Sequence, residues 1–146
     1  MIKRIFVEKK SEYSDVFKRV KHIFEHLSIK FEDFRQFVRY DVDNMSDYIF
    51  DIAKTSIFSD PSTEIVYDKF PVGKNYQTIV VESVDSAYNN KLADIYSNLI
   101  LITETQATIK TATVYAISGI TQAHLPNPFG KNFLLRIVLR PHLYSQ

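Results

Sequence analysis

The segment His22-Ile23-Phe24-Glu25-His26 holds the residue types best suited to metal chemistry in this chain. It matches the pattern H-x-x-E-H of inverted zinc proteases, in which both histidines bind zinc. Histidines four positions apart lie on one face of a helix, as two ligands of one ion must. However, His22, Glu25 and His26 lie opposite the apolar positions of the same helix, so a site here would be open to water. We expect exposed side chains, no tight zinc binding and no peptidase activity.

Three pairs of carboxylates could serve acid–base catalysis: Glu32 with Asp33, Asp41 with Asp43, and Asp47 with Asp51. Such catalysis needs two carboxyl groups in one cleft with separated pKa values. These pairs lie beside predicted strand ends and helix starts, where Asp commonly caps backbone N–H groups. A serine nucleophile would need a constrained turn such as G-x-S-x-G, which the sequence lacks. We therefore expect structural roles and predict no catalytic residue.

The composition excludes further classes of site. The chain has 146 residues, no cysteine and three scattered glycines. It therefore lacks disulfides, iron–sulfur clusters, a thiol nucleophile and the usual glycine-rich nucleotide loops. A net charge of +1 gives no electrostatic reason to expect nucleic acid or a membrane as partner. We predict a cytoplasmic domain that carries no cofactor or metal of its own.

Hydrophobic periodicity predicts the elements that position these residues. Strands are predicted at 2–9, 35–42, 64–68, 77–82 and 109–117. A first helix carries an apolar stripe from Val16 to Leu27, and a third extends to about Ile102. A second helix begins after Asn44 or Ser46 and is predicted to bury Ile49, Ile52, Ala53 and Ile57.

The two halves of the chain resemble each other. Ile5-Phe6-Val7-Glu8 matches Ile79-Val80-Val81-Glu82 at an offset of 74 residues, and each is followed by a helix and a strand. Two β-α-β halves, at about 1–70 and 76–122, predict an α+β fold. They form one sheet, or two halves that close on each other, with helices on the outer face. Residues 123–146 are left open as a sixth strand, a docking segment or a frayed end.

Several segments, in order, resemble the N-terminal domain of the large single-chain phosphoribosylformylglycinamidine synthase, the glutamine-dependent ligase of purine biosynthesis. The resemblance covers roughly residues 1–122. The matching segments are Lys3-Arg4-Ile5-Phe6-Val7-Glu8-Lys9-Lys10, Arg39-Tyr40-Asp41-Val42, Phe58-Ser59-Asp60-Pro61, Val66-Tyr67-Asp68, Leu101-Ile102-Thr103 and Ile109-Lys110-Thr111-Ala112-Thr113-Val114-Tyr115.

The resemblance implies a domain similar to a fused dimer of the small PurS-type subunit, with a mainly antiparallel sheet and helices packed on one side. In that family the domain is not catalytic. It packs against the ATP-binding synthase domain and helps to place the glutaminase so that ammonia can pass between the two sites. ATP and magnesium belong to the synthase domain, which this chain lacks. The expected partners are therefore synthase and glutaminase chains or domains.

The chain departs from the family after Glu82. The family has Leu-Pro-Gly-Gln, an aromatic residue and then Asp-Gln-Arg-Ala-Asp, whereas residues 84–93 here have neither the Pro-Gly turn nor the arginine. Lys91 is the nearest charged substitute, although lysine lacks the planar fork of arginine. From this altered but length-preserved loop and from the preserved strand end, the candidate partner contacts are Arg39, Tyr40, Asp41, Asp85 and Lys91.

The sequence thus favours a non-catalytic assembly domain of a formylglycinamidine ribonucleotide synthase. On its own the chain is not expected to be an enzyme, although it resembles part of an ATP- and glutamine-dependent ligase. The alternative is a diverged stand-alone binding or regulatory module that has lost the purine-synthase partner. The oligomeric state, including a homo-oligomer, is left open.

Overall fold

The fold is known from a computed structural model, which describes residues 1–82, 90–103 and 106–120. Eight helices and strands follow one another there. They are β1 (Lys3–Lys9), α1 (Val16–His26), β2 (Asp33–Asp43), α2 (Asp47–Ser56), β3 (Glu64–Tyr67), β4 (Tyr76–Glu82), α3 (Asn90–Leu99) and β5 (Thr108–Ser118). A short 3-10 turn, Ser11–Tyr13, lies between β1 and α1. The predictions for residues 123–146 lie outside the described residues.

The five strands form one antiparallel sheet in the order β3-β1-β2-β5-β4. β1 pairs with β2 so that Ile5 lies opposite Tyr40, and it pairs with β3 so that Val7 lies opposite Val66. The three helices pack on one side of this sheet. The expected α+β class, antiparallel sheet and one-sided helices are therefore confirmed.

The element order repeats, as the matching sequence segments predict. β1-α1-β2 is followed later by β4-α3-β5. The loop between β3 and β4 covers residues 68–75, which includes the predicted boundary between the two halves.

The chain has two compact units, and the first contains Met1–Tyr13, Phe37–Pro71 and Val80–Val114. Its core lies between the sheet and the helices α2 and α3. Strand residues alternate, so Tyr40 and Val42 of β2 enter this core while Arg39 and Asp41 lie on the other face. The fully or nearly fully buried members include Ile5, Val7, Tyr40, Val42, Phe50, Ala53, Phe58, Leu92, Ile95, Leu99 and Ile109.

The second unit contains Ser14–Gln36, Val72–Ile79 and, at the end of the described chain, residues 115–120. In its core, Val20, Ile23 and Phe24 of α1 pack with Phe34 and Ile117. These three helix positions recur at the spacing of one helical face. The apolar stripe predicted for α1 is therefore confirmed at its centre.

The helix α2 begins as expected and buries most of the predicted face, with Ala53 buried and Ile49 and Ile57 packed against the first core. The Ser46 hydroxyl accepts a hydrogen bond from the backbone N–H of Ile49 at 3.3 Å, so the serine is the N-cap. Phe50 and Ala53 are buried, whereas Ile52 is 40% exposed. The inward placement of Ile52 was wrong, because the ring of Phe50 packs beside that of Phe58, 6.3 Å away, and sets the rotation of the helix.

No helix in residues 1–82, 90–103 or 106–120 is long and apolar enough to cross a membrane.

Candidate functional site

A cluster of charged residues occupies the sheet face that points away from the first core. Arg4 of β1 donates two hydrogen bonds to the carboxylate of Asp41 in β2, at 2.6 and 3.1 Å. Arg39 lies 3.5 Å from Asp41 and 3.5 Å from Glu82 of β4. The side chains of Arg39 and Asp41 are each only 14% exposed. Two of the predicted partner contacts are thus engaged in ion pairs within the chain.

The same charged cluster shifts the pKa of Arg4 in β1. The hydrogen bond to Asp41 raises the pKa of Arg4, against a smaller opposing effect of burial. Asp41 faces two guanidinium groups, and Glu82 is a second carboxylate beside Arg39. Asp41 therefore acts as a clamp, that is, an ion-paired link between the neighbouring strands β1 and β2. The arginine side of this link persists at any physiological pH, because a guanidinium remains charged there.

Tyr40 lies between Arg39 and Asp41 in sequence but on the opposite face of the sheet. It is 1% exposed, and its ring centroid lies 5.0 Å from that of Phe58. Burial raises the pKa of its phenol well above the usual value, with a smaller contribution from the charge of Glu64. The side chain of Tyr40 is therefore part of the first core.

The other two candidate contacts belong to the altered loop. Asp85 lies outside the described residues, as does the side chain of Lys91, whose backbone belongs to α3. Their contact role stays a prediction.

The histidine motif lies where the helical pattern predicts. His22, Glu25 and His26 are exposed, and the two imidazole rings lie 4.8 Å apart between centroids. Among the described residues, no group of three or more acidic or histidine side chains is placed to hold a metal ion.

Members of all three carboxylate pairs have partners of their own. Tyr76 donates a hydrogen bond to Asp33, and this bond raises the pKa of the phenol. Asp47 lies 3.2 Å from Lys3, and Asp51 lies 3.4 Å from Lys54. The first two contacts join different elements, and the third lies within α2.

An exposed apolar segment that was not predicted from the sequence follows the end of α3. Ile100 is 76% exposed, Leu101 80% and Ile102 38%. We call these three residues the α3 patch. The missed signal is the continuous run Leu99-Ile100-Leu101-Ile102, because one face of a helix can bury only part of four consecutive apolar residues.

A groove of about 730 Å³ lies beside the α3 patch. Its described lining is mostly apolar or uncharged: Tyr96, Leu99, Ile100, Thr103, Gln106, Ala107 and Thr108. The Tyr96 hydroxyl accepts a hydrogen bond from the backbone N–H of Ile109 at 2.9 Å, which fixes α3 to the start of β5. These residues include no acid or base for proton transfer, so the described surface is suited to binding apolar groups.

Comparison of the chain with protein-family models, with curated proteins and with solved structures finds no match.

Proposed function

We propose that this chain is a non-catalytic assembly domain of a cytoplasmic phosphoribosylformylglycinamidine synthase. In this role it binds the synthase part of the enzyme and helps to hold the glutaminase part in place. ATP and magnesium are bound by the synthase part. The proposal combines the ordered sequence resemblance with the surface at the end of α3.

The single observation that carries the proposal is the exposure of the α3 patch. Monomeric proteins rarely expose contiguous large apolar side chains, and such patches commonly mark sites of protein interaction. Leu101 alone is 80% exposed, and its burial against a partner would contribute roughly 1–2 kcal/mol. The adjacent groove offers space for an apolar side chain of that partner.

The position of the patch also supports an assembly role. Leu101 and Ile102 belong to one of the segments on which the family resemblance rests. In contrast, Arg39 and Asp41 present little surface, because each is mostly covered and ion-paired. The α3 patch is therefore the stronger candidate for the contact with the synthase.

The proposal is tested by mixing the chain with a synthase chain from which the N-terminal domain has been removed. We expect the two to co-elute in size-exclusion chromatography at roughly 10 μM each, within the range of ordinary protein complexes. The double variant Ile100→Ser, Leu101→Ser should weaken the complex, because it removes apolar contact area without disturbing the core. Ile2→Ser is the matched control, since Ile2 is also an exposed aliphatic residue, at 63%.

The possible outcomes distinguish the assembly role from the choice of the α3 patch as the contact site. Failure to co-elute would contradict the assembly role and favour a stand-alone binding module. If the complex forms and the double variant binds as well as Ile2→Ser does, the assembly role stands and the α3 patch is the wrong contact.

A further inference from the structure

The two histidines of α1 form a pair that neither core uses. His22 and His26 are both exposed, and they lie four positions apart within Val16–His26. Their ring centroids are 4.8 Å apart and the ring planes are nearly perpendicular, at 88°. Two nitrogen-bearing rings therefore already share one surface of the helix.

The backbone under this pair is held in place. Val20, Ile23 and Phe24 are 4%, 1% and 0% exposed, so α1 is anchored by its other face. Binding a ligand across His22 and His26 would thus require side-chain rotation and no change of fold. Because both side chains are exposed, this rotation displaces only solvent.

The geometry suits two ligands of one metal ion. Imidazole nitrogens bind transition metals at about 2.0–2.1 Å, so two adjacent ligands of one ion lie roughly 3 Å apart. Rings whose centroids are 4.8 Å apart can each turn one nitrogen toward a common point at that separation. The remaining coordination positions would face water.

The chemistry of the pair selects the class of metal. Mg²⁺ and Ca²⁺ prefer oxygen ligands, whereas imidazole suits copper, nickel and zinc. Among these divalent ions, Cu²⁺ binds a given nitrogen site most strongly. The exposed Lys18 and Lys21 on the same helix oppose a bound cation, and Glu25 favours it. Because the two lysines outnumber the one glutamate, the surrounding charges do not strengthen cation binding. We therefore expect reversible binding that depends on the imidazole–metal bonds.

We propose that His22 and His26 form a two-ligand site for Cu²⁺, with weaker binding of Ni²⁺ and Zn²⁺. Two protein ligands hold an ion less firmly than the three or four of catalytic and structural zinc sites. The proposal is therefore compatible with the expected lack of tight zinc binding. It is independent of the role proposed for the α3 patch.

The test uses Cu²⁺ loaded on nitrilotriacetate, which leaves adjacent coordination positions for two imidazoles. Calorimetric titration of the full chain should show one equivalent bound, and electron paramagnetic resonance should show nitrogen coordination from the protein. Loss of an outer-shell partner already lowers metal affinity about 10- to 100-fold, so His22→Ala or His26→Ala should lower it at least as much. His142→Ala is the control and should leave the titration unchanged.

A rescue experiment tests the spacing itself. In the His26→Ala background, Lys18→His places a second imidazole four positions before His22 and should restore binding. Lys21→His in the same background should not, because adjacent residues are about 100° apart around a helix. Far-UV circular dichroism of each variant verifies that the chain is folded.

Three results with Cu²⁺ would overturn the proposal. They are unchanged binding in His22→Ala or His26→Ala, equal rescue by Lys18→His and Lys21→His, and a failure of Lys18→His to rescue a folded variant. Zinc that survives dialysis in stoichiometric amount would imply a third protein ligand and would also overturn the two-ligand assignment.

Discussion

At the scale of single residues, the charged groups of β1 and β2 serve the sheet. Asp41 accepts two hydrogen bonds from Arg4 and lies 3.5 Å from Arg39. Since Asp41 is only 14% exposed, removal of its charge would leave the largely buried Arg39 with only the exposed carboxylate of Glu82 nearby. The loss of folding stability on removing a carboxylate therefore depends on how well water can solvate the guanidinium that is left behind.

This dependence gives a prediction for two carboxylates of one cluster. Asp41→Asn should lower the free energy of unfolding by about 1–3 kcal/mol, the usual range for hydrogen bonds to a charged group. Glu82→Gln should change it by no more than about 0.5 kcal/mol, because the Glu82 carboxylate is 76% exposed. Urea denaturation measures both, and equal losses would contradict the clamp role of Asp41.

A second prediction concerns the pH dependence of stability through Tyr76. Its hydrogen bond to Asp33 raises the pKa of the phenol, so the folded chain holds that proton more tightly than the unfolded chain does. The resulting stabilisation is complete below the unfolded value, about pH 10, and is lost as the pH rises through the higher folded value.

The measurement compares the wild type with Tyr76→Phe at pH 8 and pH 11. The wild type should be the more stable at pH 8, and the difference should narrow at pH 11. Tyr48→Phe serves as the control, because Tyr48 is 75% exposed. A difference that stays constant or widens at pH 11 would show that the Tyr76–Asp33 bond does not favour the protonated phenol.

At the scale of elements, the two faces of α1 contribute differently to the stability of the fold. Phe24 is 0% exposed, and its ring centroid lies 5.1 Å from that of Phe31, whereas His22 is exposed. The buried face carries the packing of the second unit, and the exposed face is available for metal binding.

The third prediction compares these two faces directly. Phe24→Ala should lower the free energy of unfolding by about 3–5 kcal/mol, because it removes a large buried side chain and leaves a cavity. His22→Ala should stay within about 0.5 kcal/mol. A denaturant titration measures both values, and similar losses would mean that α1 buries a different face.

At the scale of the whole molecule, the composition limits what the chain can do without a partner. It has no cysteine for a thiol glutaminase and no glycine-rich phosphate loop. The described groove beside the α3 patch is lined by apolar and uncharged side chains. Both features are compatible with the assembly role proposed above.

The fourth prediction follows from that composition. The purified chain should release no ammonia from glutamine and no phosphate from ATP above the rate of a buffer blank. Coupled assays for glutamate and inorganic phosphate measure this. Turnover that persists through a further chromatography step would contradict the non-catalytic role.

Much of the fold could be predicted from the sequence because its apolar residues follow simple periods. The stripe Val20, Ile23 and Phe24 identified both the helix α1 and its buried face, and Ser46 marked the start of α2. Exposure of His22 and His26 followed from the same geometry. Helix geometry sets the spacing of these residues, so local sequence reveals the face, although that face packs against distant residues such as Ile117.

Other features depended on contacts between distant segments. Alternation along β2 separates Tyr40 from Arg39 and Asp41, but only the pairing with β1 and the packing of α2 show which face enters the core. In α2, the contact between Phe50 and Phe58 turned Ile52 outward. The exposure of the α3 patch likewise depends on what the rest of the chain covers. The sequence by itself determined the elements and the chemistry that is excluded, whereas tertiary packing decided which side chains remain accessible, because burial depends on residues far apart in the chain.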